Sequence, residues 1–167
     1  MSKQQPTATA VADRTSDVPA REPLSPIESF WLRADALYRS AKECCRQHER
    51  FSHLVHVGAL ELEQRNAQQA VLASDLALES IATAYEKCCS KGHPGNEDGA
   101  WHCANTLWLA SRDYMRRMRT SDRAGKGMNH GDAARFAELA VDYDLEASAL
   151  LALKQAAEQY RKVRPEV

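Results

Sequence analysis

Three observations predict an all-α protein, an up-down antiparallel four-helix bundle behind a disordered N-terminal tail. Apolar residues recur every three to four positions from Ile27 to Tyr160, and no segment alternates with period two. Between residues 27 and 164 the sole proline is Pro94, so the pattern runs with few interruptions. Two breaks rich in glycine, Lys91 to Asn96 and Arg123 to Gly131, divide it into segments whose short connections imply antiparallel neighbours. The expected organisation is a tail over residues 1–24 and one helical domain over 25–167.

The tail, MSKQQPTATAVADRTSDVPAREPL, holds three of the six prolines among Ser, Thr, Gln and Ala, with three charges of each sign. With almost no bulky apolar side chain, it cannot offset its ordering entropy by burial. The first helix starts sharply at Ser25-Pro26-Ile27-Glu28, where Ser caps, Pro suits the first helical position and Glu reaches back to the cap. Its apolar face runs through Phe30, Trp31, Ala34, Leu37, Tyr38, Ala41, Cys44 and Cys45.

The end of this helix is the soft boundary. Arg46 to His53 contains no Gly, Pro or Asn, and the helical pattern continues through Leu54, Leu62, Leu72, Leu76, Ile81 and Tyr85, with Gly58 its only weak point. A single helix over 26–90 would be about 98 Å long at about 1.5 Å per residue. That length does not suit a compact monomer, so a turn is expected near 46–52. The alternative is a long bent first helix, of the dimer-forming coiled-coil type, followed by a helical hairpin.

After the first break, with Asn96 as cap, a third helix over about 97–122 is expected to bury Trp101, Ala104, Leu107, Trp108, Ser111, Tyr114, Met115 and Met118. A fourth, capped by Asp132 and ending before Pro165, is expected to bury Phe136, Leu139, Ala140, Tyr143, Ala147, Leu150, Leu151 and Tyr160. Folding these two about the loop near residue 128 predicts interhelix salt bridges of Arg119 with Glu138, Arg116 with Asp142 and Arg112 with Glu146.

Lys plus Arg (22) nearly cancel Asp plus Glu (23), so overall charge selects neither nucleic acid nor an anionic membrane. The predicted acidic stripe also neutralises most of the arginine stripe, and nucleic-acid binding is not expected. No stretch approaches the roughly 20 apolar residues of a membrane span, nor the apolar core of a signal peptide. Five cysteines, an odd count in two adjacent pairs and a single, do not make a secreted disulfide framework, and a reducing cytoplasm is the expected setting.

Candidate chemistry rests on thiols and imidazoles. Cys44-Cys45 with His48, and Cys88-Cys89 with His102 and Cys103 across the 91–96 turn, supply ligands suited to zinc or copper. Against this, buried cysteine is a common small hydrophobe, and adjacent residues on a helix diverge by about 100°. His48-Glu49-Arg50-Phe51-Ser52-His53 has one residue too many between its histidines for a zinc-protease string, and no Glu is followed by His three positions on, as a di-iron bundle requires. Arg123, Lys126 and Gly127, ahead of a helix N-terminus, form a weak anion-binding candidate.

No catalytic arrangement of Ser, His and Asp or of Cys and His follows from spacing alone. The leading expectation is therefore a non-enzymatic helical bundle that self-associates or docks another protein, with a homo-oligomer or a protein as its partner. The alternatives are a metal-binding or thiol-redox bundle and, third, a regulator binding an anion at the 123–131 loop.

Overall fold

The computed structural model describes residues 24–90, 99–125 and 133–164 and contains four helices: α1 (Pro26–His56), α2 (Glu61–Cys89), α3 (Ala100–Gly125) and α4 (Ala133–Val163). There is no strand among the described residues. The predicted tail lies outside them, apart from Leu24, as do the caps expected at Asn96 and Asp132.

α1 begins as its sequence dictates. Glu28 N–H donates to Ser25 Oγ at 3.2 Å, and Ser25 N–H donates to Glu28 Oε2 at 2.8 Å, so two donors at the helix start are satisfied reciprocally. The turn expected near 46–52 is absent: α1 runs through that stretch to His56. Good helix formers with no breaker give the backbone no reason to stop there. The reversal waits for Gly58, whose φ of 67° is the left-handed conformation that closes a helix. Gly58 N–H donates to Val55 C=O at 3.2 Å and Ala59 N–H to Leu54 C=O at 3.0 Å, the paired bonds of a Schellman ending. α1 and α2 are thus separate antiparallel helices, which removes the bent-helix alternative.

α1 packs against α2 and α3 against α4, and the two hairpins join along the α1–α4 and α2–α3 seams. This is the up-down four-helix arrangement. Its cross-section is skewed: among the described residues the backbones of α1 and α3 approach closely across one diagonal, while those of α2 and α4 do not across the other. The short diagonal brings side chains of α1, α2 and α3 to a common point inside the bundle.

The core face of α3 is as expected, with Ala104, Leu107, Ser111, Tyr114 and Met115 buried and Trp101, Trp108 and Met118 packed at its edge. Two other faces differ from expectation. α2 buries Ala67, Val71, Ser74, Asp75, Leu78, Ala82 and Tyr85, while Leu62, Leu72 and Leu76 point outward. Small side chains on the inner face let α2 approach α1 closely, and the larger leucines fall on the opposite side. α4 buries Ala149, Leu153, Ala156, Ala157 and Tyr160; of the residues expected inside, Ala140, Tyr143, Ala147 and Leu151 are exposed. Among its described side chains, the fully buried ones all lie in its second half.

The predicted α3–α4 salt bridges are also corrected. Arg112 pairs with Glu86 at 3.0 Å and Arg119 pairs with Glu79, both on α2, while Arg116 pairs with Asp113 in its own helix. Glu146 instead accepts a hydrogen bond from Ser121. The arginine stripe lies on the flank of α3 that faces α2, a neighbour that folding the last two helices alone leaves out of account.

Candidate functional site

Four polar side chains from three helices meet where the diagonal is short. Cys44 and His48 lie one turn apart on the same face of α1. Asp75 comes from the inner face of α2 and Tyr114 from that of α3. Cys44 and Tyr114 are fully buried, the Asp75 side chain is 4% exposed, and only His48, at 18%, reaches the surface.

Asp75 Oδ1 is the centre of the cluster. Tyr114 O–H donates to it at 3.0 Å, Cys44 S–H donates to it at 3.3 Å, and His48 Nε2 lies 3.2 Å away. Tyr114 Oη is also 2.6 Å from His48 Nε2, with the two rings edge to face. A hydroxyl has one proton, and Tyr114 gives it to the carboxylate. His48 must then carry its proton on Nε2, where it serves both the tyrosine oxygen and Asp75. This tautomer satisfies every contact, so the buried carboxylate is held by three donors.

Burial, reinforced by the neighbouring Asp75 carboxylate, raises the Cys44 thiol far above its ordinary range. The same two causes raise the Tyr114 phenol. Neither group is an available nucleophile: Cys44 is protonated, closed off from solvent, and bonded to the carboxylate rather than to the imidazole. Cys45 is pushed up to about 11, chiefly by burial.

Of the residues expected to bind metal, Cys44 and His48 are brought together, with Asp75 added. Among the described residues, Cys44, His48 and Asp75 are the one set of three or more ligand atoms close enough to share an ion. Cys88, Cys89 and Cys103 are half-buried and His102 is exposed, and they do not converge into such a set. For the anion candidate, Arg123 ends an exposed groove in which Glu79 and Glu86 neutralise Arg119 and Arg112. Lys126 and Gly127 lie outside the described residues.

Sequence reasoning missed Asp75 and assigned Tyr114 to packing. The signal for Asp75 was present: it stands four residues after Val71 and three before Leu78, on the buried face. An ionisable residue at such a position needs partners.

A second feature lies on the outside. Val141, Tyr143, Leu145 and Leu151 of α4 are all exposed, and they flank its core-facing row on both sides. A helix with apolar residues around most of its circumference ordinarily has neighbours on more than one side.

The chain matches no known protein family, no curated protein and no solved structure.

Proposed function

We propose that this bundle is a non-enzymatic interaction module that pairs with a second copy of itself through the outer surface of α4. The carrying observation is the exposure of Val141 (58%) and Leu145 (39%), one turn apart on α4.

A second copy is the occupant that fits. Val141 and Leu145, one turn apart on the same face of α4, form an apolar strip that complements itself across a two-fold axis without needing a second matching patch. A formal net charge of -1 does not keep two copies apart. The magnitude favours a weak pairing. Each half-exposed side chain recovers about 1 kcal/mol on burial. Val141 and Leu145 from each copy supply roughly 4 kcal/mol before the cost of association, which leaves a pairing no tighter than about millimolar.

The module reading is supported by the absence of an accessible nucleophile at the buried cluster. The five free thiols fit the proposed reducing, cytoplasmic setting. No helix among the described residues is long and apolar enough to cross a membrane.

The test is light scattering on the full chain from tens of micromolar to several millimolar. A mass rising toward twice that of the chain, and held at one chain by Val141→Glu with Leu145→Glu at unchanged helicity, is expected. A strict monomer throughout refutes the pairing.

A further inference from the structure

We infer that Cys44, His48 and Asp75 form a binding site for a single borderline divalent cation of the zinc type, with Tyr114 as the partner that orients the carboxylate. The inference rests on the buried cluster and is independent of the α4 pairing.

The donor set is one nitrogen, one oxygen and one sulfur, each from a side chain that serves as a zinc ligand. Bonds of about 2.0–2.3 Å at tetrahedral angles hold ligand atoms roughly 3.3–3.8 Å apart. Cys44 Sγ and His48 Nε2 stand 3.3 and 3.2 Å from Asp75 Oδ1, so the ligands need open only slightly. Tyr114 Oη, 2.6 Å from His48 Nε2, is too close to remain where it is as a fourth ligand. It keeps its hydrogen bond to Asp75 from outside the coordination shell, leaving the fourth position to water.

The charges and protons balance. On binding, the Cys44 thiol gives one proton to solvent and becomes a thiolate, and the His48 proton passes from Nε2 to Nδ1, freeing Nε2 as ligand. Two positive charges then meet one thiolate and one carboxylate, and the buried centre is neutral. Without the cation, Asp75 is a buried carboxylate held by hydrogen bonds alone. The carboxylate also selects among metals: copper(I) prefers thiolates and thioethers, whereas zinc accepts mixed nitrogen, oxygen and sulfur.

An access route leads to the one member that reaches solvent. His48 lines a groove of about 750 Å³ together with Glu49, Ser52, His53 and His56 of α1 and Leu150 of α4. Exposed imidazoles at His53 and His56 stand on the path of an incoming cation.

Cobalt(II) provides the probe, because thiolate coordination gives a near-ultraviolet charge-transfer absorption and tetrahedral geometry gives strong visible bands. Full-length, chelator-treated protein is expected to bind one cobalt per chain with both signatures, and zinc to displace it. The triple variant Cys88→Ser, Cys89→Ser, Cys103→Ser is expected to keep them. Cys44→Ser is expected to lose the charge-transfer band, and His48→Gln and Asp75→Asn to weaken binding at least a hundredfold. Tyr114→Phe is expected to weaken it by about 10–100-fold, the usual effect of losing an outer partner.

Should Cys44→Ser fail to fold by circular dichroism, the triple variant decides on its own. Retention of its band leaves only Cys44 and Cys45 as the sulfur source, and Cys45→Ser is then expected to keep it. No thiolate band in the wild type under excess cobalt, or its loss in the triple or Cys45 variant, overturns the site. His53→Ala with His56→Ala is expected to slow loading several-fold at unchanged affinity. An unchanged loading rate overturns the access route.

Discussion

Replacing Tyr114 with phenylalanine removes one oxygen from the centre of the bundle and leaves the ring in place. The hydroxyl is fully buried and donates at 3.0 Å to Asp75, itself 3% exposed. A hydrogen bond to a buried charged group contributes about 1.5–3 kcal/mol. Asp75 retains Cys44 and His48 as partners, so about 2 kcal/mol is expected rather than the upper limit. With a urea slope of about 2 kcal/mol/M, the midpoint should fall by about 1 M at unchanged slope. The measurement is equilibrium unfolding by circular dichroism with chelator present, so that bound metal does not add to stability. Tyr160→Phe is the internal control. Tyr160 is also fully buried, yet its hydroxyl has no hydrogen-bond partner among the described residues. Removing it relieves an uncompensated desolvation, and that variant should lie within about 0.5 kcal/mol of wild type or above it. If the two substitutions cost the same, the hydrogen-bonded cluster is not what holds Tyr114, and the geometry around Asp75 is wrong.

Gly58→Ala should destabilise by about 1–2 kcal/mol through its left-handed backbone alone, since an added Cβ there meets nothing within 4 Å; a thermal melt that does not move would contradict the turn. Native-state maleimide labelling followed by mass spectrometry should modify Cys88, Cys89 and Cys103 first, leaving Cys44 and Cys45 intact until the chain unfolds. Early labelling of Cys44 would show that the cluster is open. Ser25→Ala should cost about 1 kcal/mol and speed amide exchange in the first turn of α1. Hydrogen bonds from the Ser25 backbone N–H, and then from its side chain, hold the Glu28 carboxyl below its ordinary range. This contribution is present above that range and lost as pH falls through the folded value; its main donor, the residue-25 backbone N–H, remains in the alanine variant, so both proteins should lose stability in acid and the gap between them should largely persist.

The elements were legible where a local signal coincided with the tertiary outcome. Ser25 and Glu28 form the expected capping box, and Trp101 to Met118 face the core as their spacing requires. The misplaced turn followed from the length argument, which required a break before residue 90 without locating it, although propensity alone favoured continuing to Gly58. α2 and α4 misled for a common reason. Side-chain size was read as burial, whereas these helices place several alanines inward and carry leucine or tyrosine on the outside as well as in the core. Composition cannot distinguish a core face from an outer apolar face when both are present. The pairing of Cys44 with His48 was visible as a one-turn spacing. Its completion by Asp75 and Tyr114 depended on the skewed diagonal, which is a property of packing among three helices and of no single stretch of sequence.

The two proposed features also differ in where they sit, and this makes them separable. Every member of the polar cluster comes from α1, α2 or α3, and the outer apolar residues of the pairing surface all come from α4. Substitutions at sites with no shared partner add independently. The monomerising pair Val141→Glu with Leu145→Glu should therefore leave cobalt affinity within about twofold of wild type, which is about 0.4 kcal/mol. Asp75→Asn should conversely remove the cation without changing the dimerisation midpoint. Leu150 is the point of risk: it lines the access groove from α4, the helix that carries the pairing surface. If dimerisation covered that groove, loading would slow as protein concentration rises while the monomeric variant stayed constant. A concentration-dependent loading rate in wild type alone would show that the second copy controls access to the cation, and the independence argued from the helix assignments would fail.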